Sequence, residues 1–233
     1  MYTARFFATL VLPMVLAWAG AADANLVQLV TVNTGAISGS AGYAIAFSVQ
    51  DGSGLLVGGD SNNTAKLSNF NFGGGSAAGS PVLVGGASGS LGAGVVLADS
   101  DFSNLFVEGF TPGSSLSFVL DLTTNLDASG TPDFFGFSIL FNDGVNTNPL
   151  LTLDDTLGDN LLYVNIDSTN PAAAVFATMA GGPVALGAPV LSASPPPGPG
   201  PGQLPEPGSL PLLLAGLAGL FGVVRRGSRA AAG

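Results

Sequence analysis

A period of two constrains this chain more than any other feature. Tyr43–Val49 (YAIAFSV), Ser115–Leu122 (SLSFVLDL) and Phe134–Phe141 (FFGFSILF) place apolar residues at alternate positions, the repeat of a strand with one buried face. Leu26–Asn33, Thr64–Phe72, Val95–Ala98, Asn104–Phe110, Leu161–Ile166 and Val175–Ala177 read as further short strands. Turn formers separate them, as at Asp51-Gly52, Asp60-Ser61-Asn62-Asn63, Pro112-Gly113, Asn142-Asp143-Gly144 and Asn170-Pro171. Outside the two ends no stretch holds a helical period. The expectation is an all-β domain, an antiparallel β-sandwich of jelly-roll or Ig-like kind. Gly73–Gly94 is low in complexity and reads as a long loop with a short strand at Pro81–Val84.

Composition agrees with many turns and a real core: 47% of the residues are hydrophobic and only 9% charged, with 35 Gly and 16 Pro. The formal charge of -10 is unevenly spread. From Asn25 to Leu204 there are 13 acidic residues against Lys66 alone, a net of -12. Such a domain repels phosphate backbones and anionic headgroups, so nucleic acid is not an expected partner. The chain has no Cys and no His. Disulfides, thiolate nucleophiles, Cys/His zinc sites and imidazole acid–base chemistry are therefore excluded.

The ends carry a different signal. Arg5 and the terminal amine precede an apolar run, Phe6–Gly20, and Ala22-Asp23-Ala24 puts small residues at both specificity positions of a signal cleavage site. Residues 1–24 read as a signal peptide with a helical core, leaving a mature chain from Asn25. At the other end Ser192–Pro207 (SASPPPGPGPGQLPEP) reads as a stalk, because prolines and glycines exclude helix and sheet. Leu210–Val224 then forms an apolar run followed by Arg225, Arg226 and Arg229, the stop-transfer charges of a single transmembrane helix. At about 1.5 Å per residue the run covers about 22 Å of a hydrocarbon core near 30 Å, a marginal span suited to a temporary anchor.

Pro205-Glu206-Pro207, an apolar helix and a terminal arginine cluster, in that order, resemble the PEP-CTERM sorting signal of bacterial exosortase systems. The resemblance covers the tail, 205–229, beyond a linker at 192–204. It implies an exosortase-type membrane protease as partner, with Pro205, Glu206 and Pro207 as recognition residues. It also implies an inner-membrane stage followed by a cell-surface or extracellular destination. A plain membrane anchor would have a longer span, and a GPI signal would lack the arginines. Within the body, Asp51-Gly52-Ser53-Gly54, Asn62-Asn63-Thr64, Leu67–Gly75 (LSNFNFGGG) and Gly109–Ser114 (GFTPGS) are similar to a recurrent β-rich group of PEP-CTERM proteins, a likeness that supplies no activity.

Chemistry in the body, 25–191, must come from carboxylates, hydroxyls or Lys66. A glycosidase needs two carboxyls about 5 to 9.5 Å apart. Glu108 is the one glutamate of the mature body and Asp154-Asp155 the one adjacent acidic pair, and both read as solvated strand ends or turns. No enzyme is expected and no cofactor is required. Calcium is the metal that the ligands suit, with Asp99 and Asp101 (DSDFSN) and Asp154, Asp155 and Asp159 (DDTLGDN) grouping hard oxygens in loops, although Asx turns explain the same residues. The reading is an exported surface or matrix protein without catalysis. The alternative is a carbohydrate-binding or calcium-dependent module with exopolysaccharide as partner, against which stands a scarcity of exposed aromatics.

Overall fold

The computed structural model describes residues 25–52, 61–126, 131–142 and 147–193. The segments read as a signal peptide and a sorting tail, with most of the one read as a linker, lie outside the described residues. So do Asp60 and Asp143.

Thirteen strands are formed among the described residues: β1 Asn25–Asn33, β2 Tyr43–Gln50, β3 Thr64–Asn71, β4 Ser76–Val84, β5 Gly86–Ser90, β6 Gly94–Ala98, β7 Ser103–Thr111, β8 Ser115–Thr123, β9 Phe134–Asn142, β10 Thr147–Pro149, β11 Leu162–Asn165, β12 Ala173–Val175 and β13 Val190–Ala193. A 3₁₀ turn at Gly35–Ile37 is the sole helical element among them. One sheet has the order β13-β1-β8-β3-β6-β5 and the other β12-β11-β9-β2-β7-β4, with β10 paired to β9. Every pairing is antiparallel.

Alternation explains the two layers. On β8, Leu116, Phe118, Leu120 and Leu122 are buried while the residues between them are half-exposed. On β2, Ile45, Phe47 and Val49 point the same way inward, and on β9 Phe135, Phe137 and Ile139 do so. The two inner faces meet through aromatic rings. Phe118 of the first sheet stands edge-on to Phe47 and Phe137 of the second, at centroid distances of 5.2 and 5.1 Å. A single core thus serves both sheets in a sandwich-like arrangement.

Gly73–Gly94, expected as a loop around one short strand, instead holds the long strand β4 and the strand β5. Both are terminal in their sheets, and the single residue Gly85 carries the chain from β4 in one sheet to β5 in the other. Glycine, serine and alanine show no alternation to betray such strands, because an edge strand with little to bury is held by backbone ladders to β7 and β6. The segment read as a stalk gives up its first two residues to the sheet. Ser192 and Ala193 belong to β13 and pair with Leu29 and Gln28 of β1. The short strand expected at Val175–Ala177 lies slightly earlier, as β12.

The family-like segments meet. Gly113 and Ser114 donate their backbone N–H groups to the carbonyls of Phe72 and Gly73, both at 3.0 Å, so that LSNFNFGGG and GFTPGS brace one end of the molecule. A Cβ on Gly113 would stand 2.2 Å from each of those two carbonyl oxygens, which is why glycine occupies the position.

Candidate functional site

The residues singled out from the sequence fall into three places. Asp99 and Asp101 lie in the β6–β7 connection. Asp99 is fully buried, and its Oδ2 accepts the Asn63 backbone N–H at 3.0 Å. Asn63, buried as well, spends its side-chain amide on Asp133 Oδ2 at 2.8 Å and the Asn125 carbonyl at 2.9 Å, and its Oδ1 accepts from Asn125 N. Asp133 Oδ1 takes the Gly52 N–H at 2.8 Å. The Asp51-Gly52 and Asn62-Asn63 turns are thereby tied to Asp99 and Asp133, as a brace at the loops entering β3, β7 and β9. Asp101 is exposed, and its backbone is clasped by the buried Asn104 side chain.

Glu108 lies in neither a turn nor a solvated strand end. It points inward from the middle of β7, is 4% exposed, and its Oε2 accepts the Leu91 N–H at 2.7 Å. Alternation along β7 puts position 108 on the core side, and the carboxylate serves there as the acceptor that holds the β5–β6 turn.

The third place is a groove of about 280 Å³ on the outer face of the second sheet. Register builds its floor. Ser48 lies opposite Gly136, Ala46 opposite Ser138 and Gln50 opposite Phe134, so three outward polar side chains, Ser48, Gln50 and Ser138, gather on adjacent strands. Leu105 and Val107 of β7 continue the floor, and Leu140, Pro149 and Leu157 form apolar wall. The loop after β10 closes one side with Asp159 and Asn160. Glycine at 136 lets that loop settle onto the sheet: a Cβ there would meet Asn160 Oδ1 at 2.5 Å and Ser48 Oγ at 2.9 Å.

The loop is fixed by Asp154. Its carboxylate accepts from Thr156 N at 2.9 Å, Leu157 N at 3.3 Å and Asn160 Nδ2 at 2.8 Å. Burial pushes the Asp154 carboxyl up, but hydrogen bonds from Asn160, Thr156 and Leu157 outweigh it and hold the pKa below its ordinary value. Asp159 shifts the other way, raised first by burial and then by the negative charge of Asp154. Tyr163, outward on β11 and 5.4 Å from Phe134 between ring centroids, is raised by burial and by the charges of Asp154 and Asp167. Asp155 is exposed. Among the described residues no group of three or more acidic side chains converges to hold a metal ion, and the carboxylates read as calcium ligands divide between two loops.

Sequence inspection marked Asp154, Asp159 and Asn160 through their crowding but passed over Ser48, Gln50 and Ser138. Those three are ordinary outward strand residues until the register sets them side by side. Pro205, Glu206, Pro207, Arg225, Arg226, Arg229, Ala22 and Ala24 lie outside the described residues. Among the described residues no helix is long and apolar enough to cross a membrane. Comparison with known proteins finds no matching family model, no matching curated protein and no matching solved structure, so the groove is read from its own geometry.

Proposed function

We propose that this chain is an exported surface or extracellular-matrix protein without intrinsic catalysis, held at the inner membrane by its C-terminal apolar run and processed by an exosortase-type protease at Pro205-Glu206-Pro207. One observation carries the reading furthest. Among the described residues the first and last strands of the body are neighbours, with Gln28 opposite Ala193. The leader and the tail read from the sequence would therefore join that body at the same end of the first sheet.

The finer fold reading belongs with this proposal. The pairs β1·β8, β2·β7 and β3·β6 are nested antiparallel partners, and β4 runs directly into β5, the order of a long hairpin rolled into a jelly roll. This supports jelly-roll over Ig-like topology, with β9 to β13 added around it.

The test is the intact mass of the protein recovered from its native cell surface, beside a chain carrying Pro205→Ala, Glu206→Ala and Pro207→Ala. Export and sorting predict a native species lacking residues 1–24 and the tail, and a substituted chain that keeps its tail and stays in the membrane fraction. A native species with its tail intact would make this a membrane-anchored β-domain and overturn the sorting step.

A further inference from the structure

The groove on the second sheet has a polar floor between apolar walls. Ser138 is 9% exposed and lines the groove, yet its hydroxyl has no hydrogen-bond partner among the described residues. Ser48 and Gln50 beside it make no side-chain hydrogen bond either. Hydroxyls and an amide left free of protein partners in an open groove can bond water or, in exchange, the hydroxyls of a ligand.

The walls narrow the choice. β2 is paired on both sides, to β7 and β9, and β9 likewise to β2 and β11, so the floor offers no free backbone ladder to an added peptide strand. An acyl chain would bury the three polar side chains without partners. Asp159 at the rim, in a chain of net charge -10, disfavours anions. A floor of hydroxyls and an amide between apolar walls suits an uncharged, polyhydroxylated ligand with apolar faces. A second groove of about 280 Å³ adjoins the first through Gln50, and its lining includes Phe102, Pro132 and Phe134. Phe102 is 38% exposed, and Phe134 stands beside Tyr163. Two grooves joined at one amide suit a polymer better than a single ring.

We propose that this surface binds a neutral polysaccharide, with Ser48, Gln50, Ser138 and Asp159 bonding sugar hydroxyls while Leu140, Leu157 and Phe134 cover ring C–H faces. The binding stands apart from the sorting reading, since it uses the described sandwich alone.

The test uses the full-length chain in mild detergent, run through gels containing neutral glucan, mannan or galactan, or anionic alginate, with titration of matching oligosaccharides by calorimetry. The expected result is retardation by at least one neutral polymer, with four- to six-unit oligosaccharides (about that length) preferred over monosaccharide. Gln50→Ala and Ser138→Val should each weaken binding about tenfold, the loss of one hydrogen bond. Gln50 is partly exposed, so its variant keeps the test decisive if Ser138→Val fails to fold. Retardation by alginate alone, by no polymer, or unchanged binding in Gln50→Ala overturns the proposal. Tail processing is read separately by intact mass, so either idea can fail without the other.

Discussion

Asp154 and Asp159 share one loop and respond to pH with opposite signs. The folded pKa of Asp154 is depressed, so its contribution is present above the ordinary value of 3.8 and is lost as pH falls through the folded value. The folded pKa of Asp159 is raised, so the folded state holds that proton more tightly than the unfolded chain, and stability declines as pH rises from 3.8 through the raised value. Asp159→Asn should therefore raise the urea midpoint at pH 7 and leave it nearly unchanged at pH 3. Asp154→Ala should lower it at pH 7 by about 2 kcal/mol equivalent, since three N–H donors lose a charged acceptor. Equal shifts for the two variants at pH 7 would refute the opposition. At this scale the sequence was half legible. The crowding of acids in DDTLGDN was visible, but Asp154 turns inward to its own loop while Asp159 faces a groove. Glu108 shows the limit more plainly, because nothing local to it says that Leu91 N lies 2.7 Å away.

Elements with strong alternation were readable because each buries a whole face: β2, β8 and β9 begin where the period of two begins. β5, β13 and the first half of β4, before the expected strand at Pro81–Val84, were not, since edge strands owe their existence to a partner's ladder more than to their own side chains. The junction of the β3–β4 and β7–β8 connections tests how far loops can set strand ends. Gly113→Ala forces a Cβ against two fixed carbonyl oxygens, and the backbone must shift to admit it. The expected loss is about 1–3 kcal/mol, the usual range for overpacking. Amide exchange should accelerate at Gly113 and Ser114, whose N–H groups bond Phe72 and Gly73, with less change at Asn63 in the opposite brace. Uniform acceleration at both would mean that the ends do not behave as separate braces.

Among the described residues the two sheets meet on one aromatic centre. Phe118 touches Phe47, Phe70 and Phe137 and is fully buried, whereas Phe134 lies on the outer face beside Tyr163. Phe118→Ala should cost about 3–5 kcal/mol in urea unfolding, and Phe134→Ala about 1 kcal/mol with the cooperative slope retained. Similar losses from the two would contradict a core confined between the sheets. With neither disulfide nor metal ligation by cysteine or histidine open to it, the chain has this core and its buried polar braces to hold the sheets together.

What the sequence by itself determined was the class of structure. Alternation commits a segment to strand wherever one face can be buried, and absent Cys and His close off whole chemistries regardless of fold. The proposed leader and sorting tail likewise rest on composition and order along the chain. Tertiary structure alone decided which strands neighbour one another, and so which outward residues share a surface. Ser48, Gln50 and Ser138 become a groove floor because β2 and β9 pair in one register, and a slip of one residue would turn them inward. Register is a property of two strands together, and no single segment of the chain contains it.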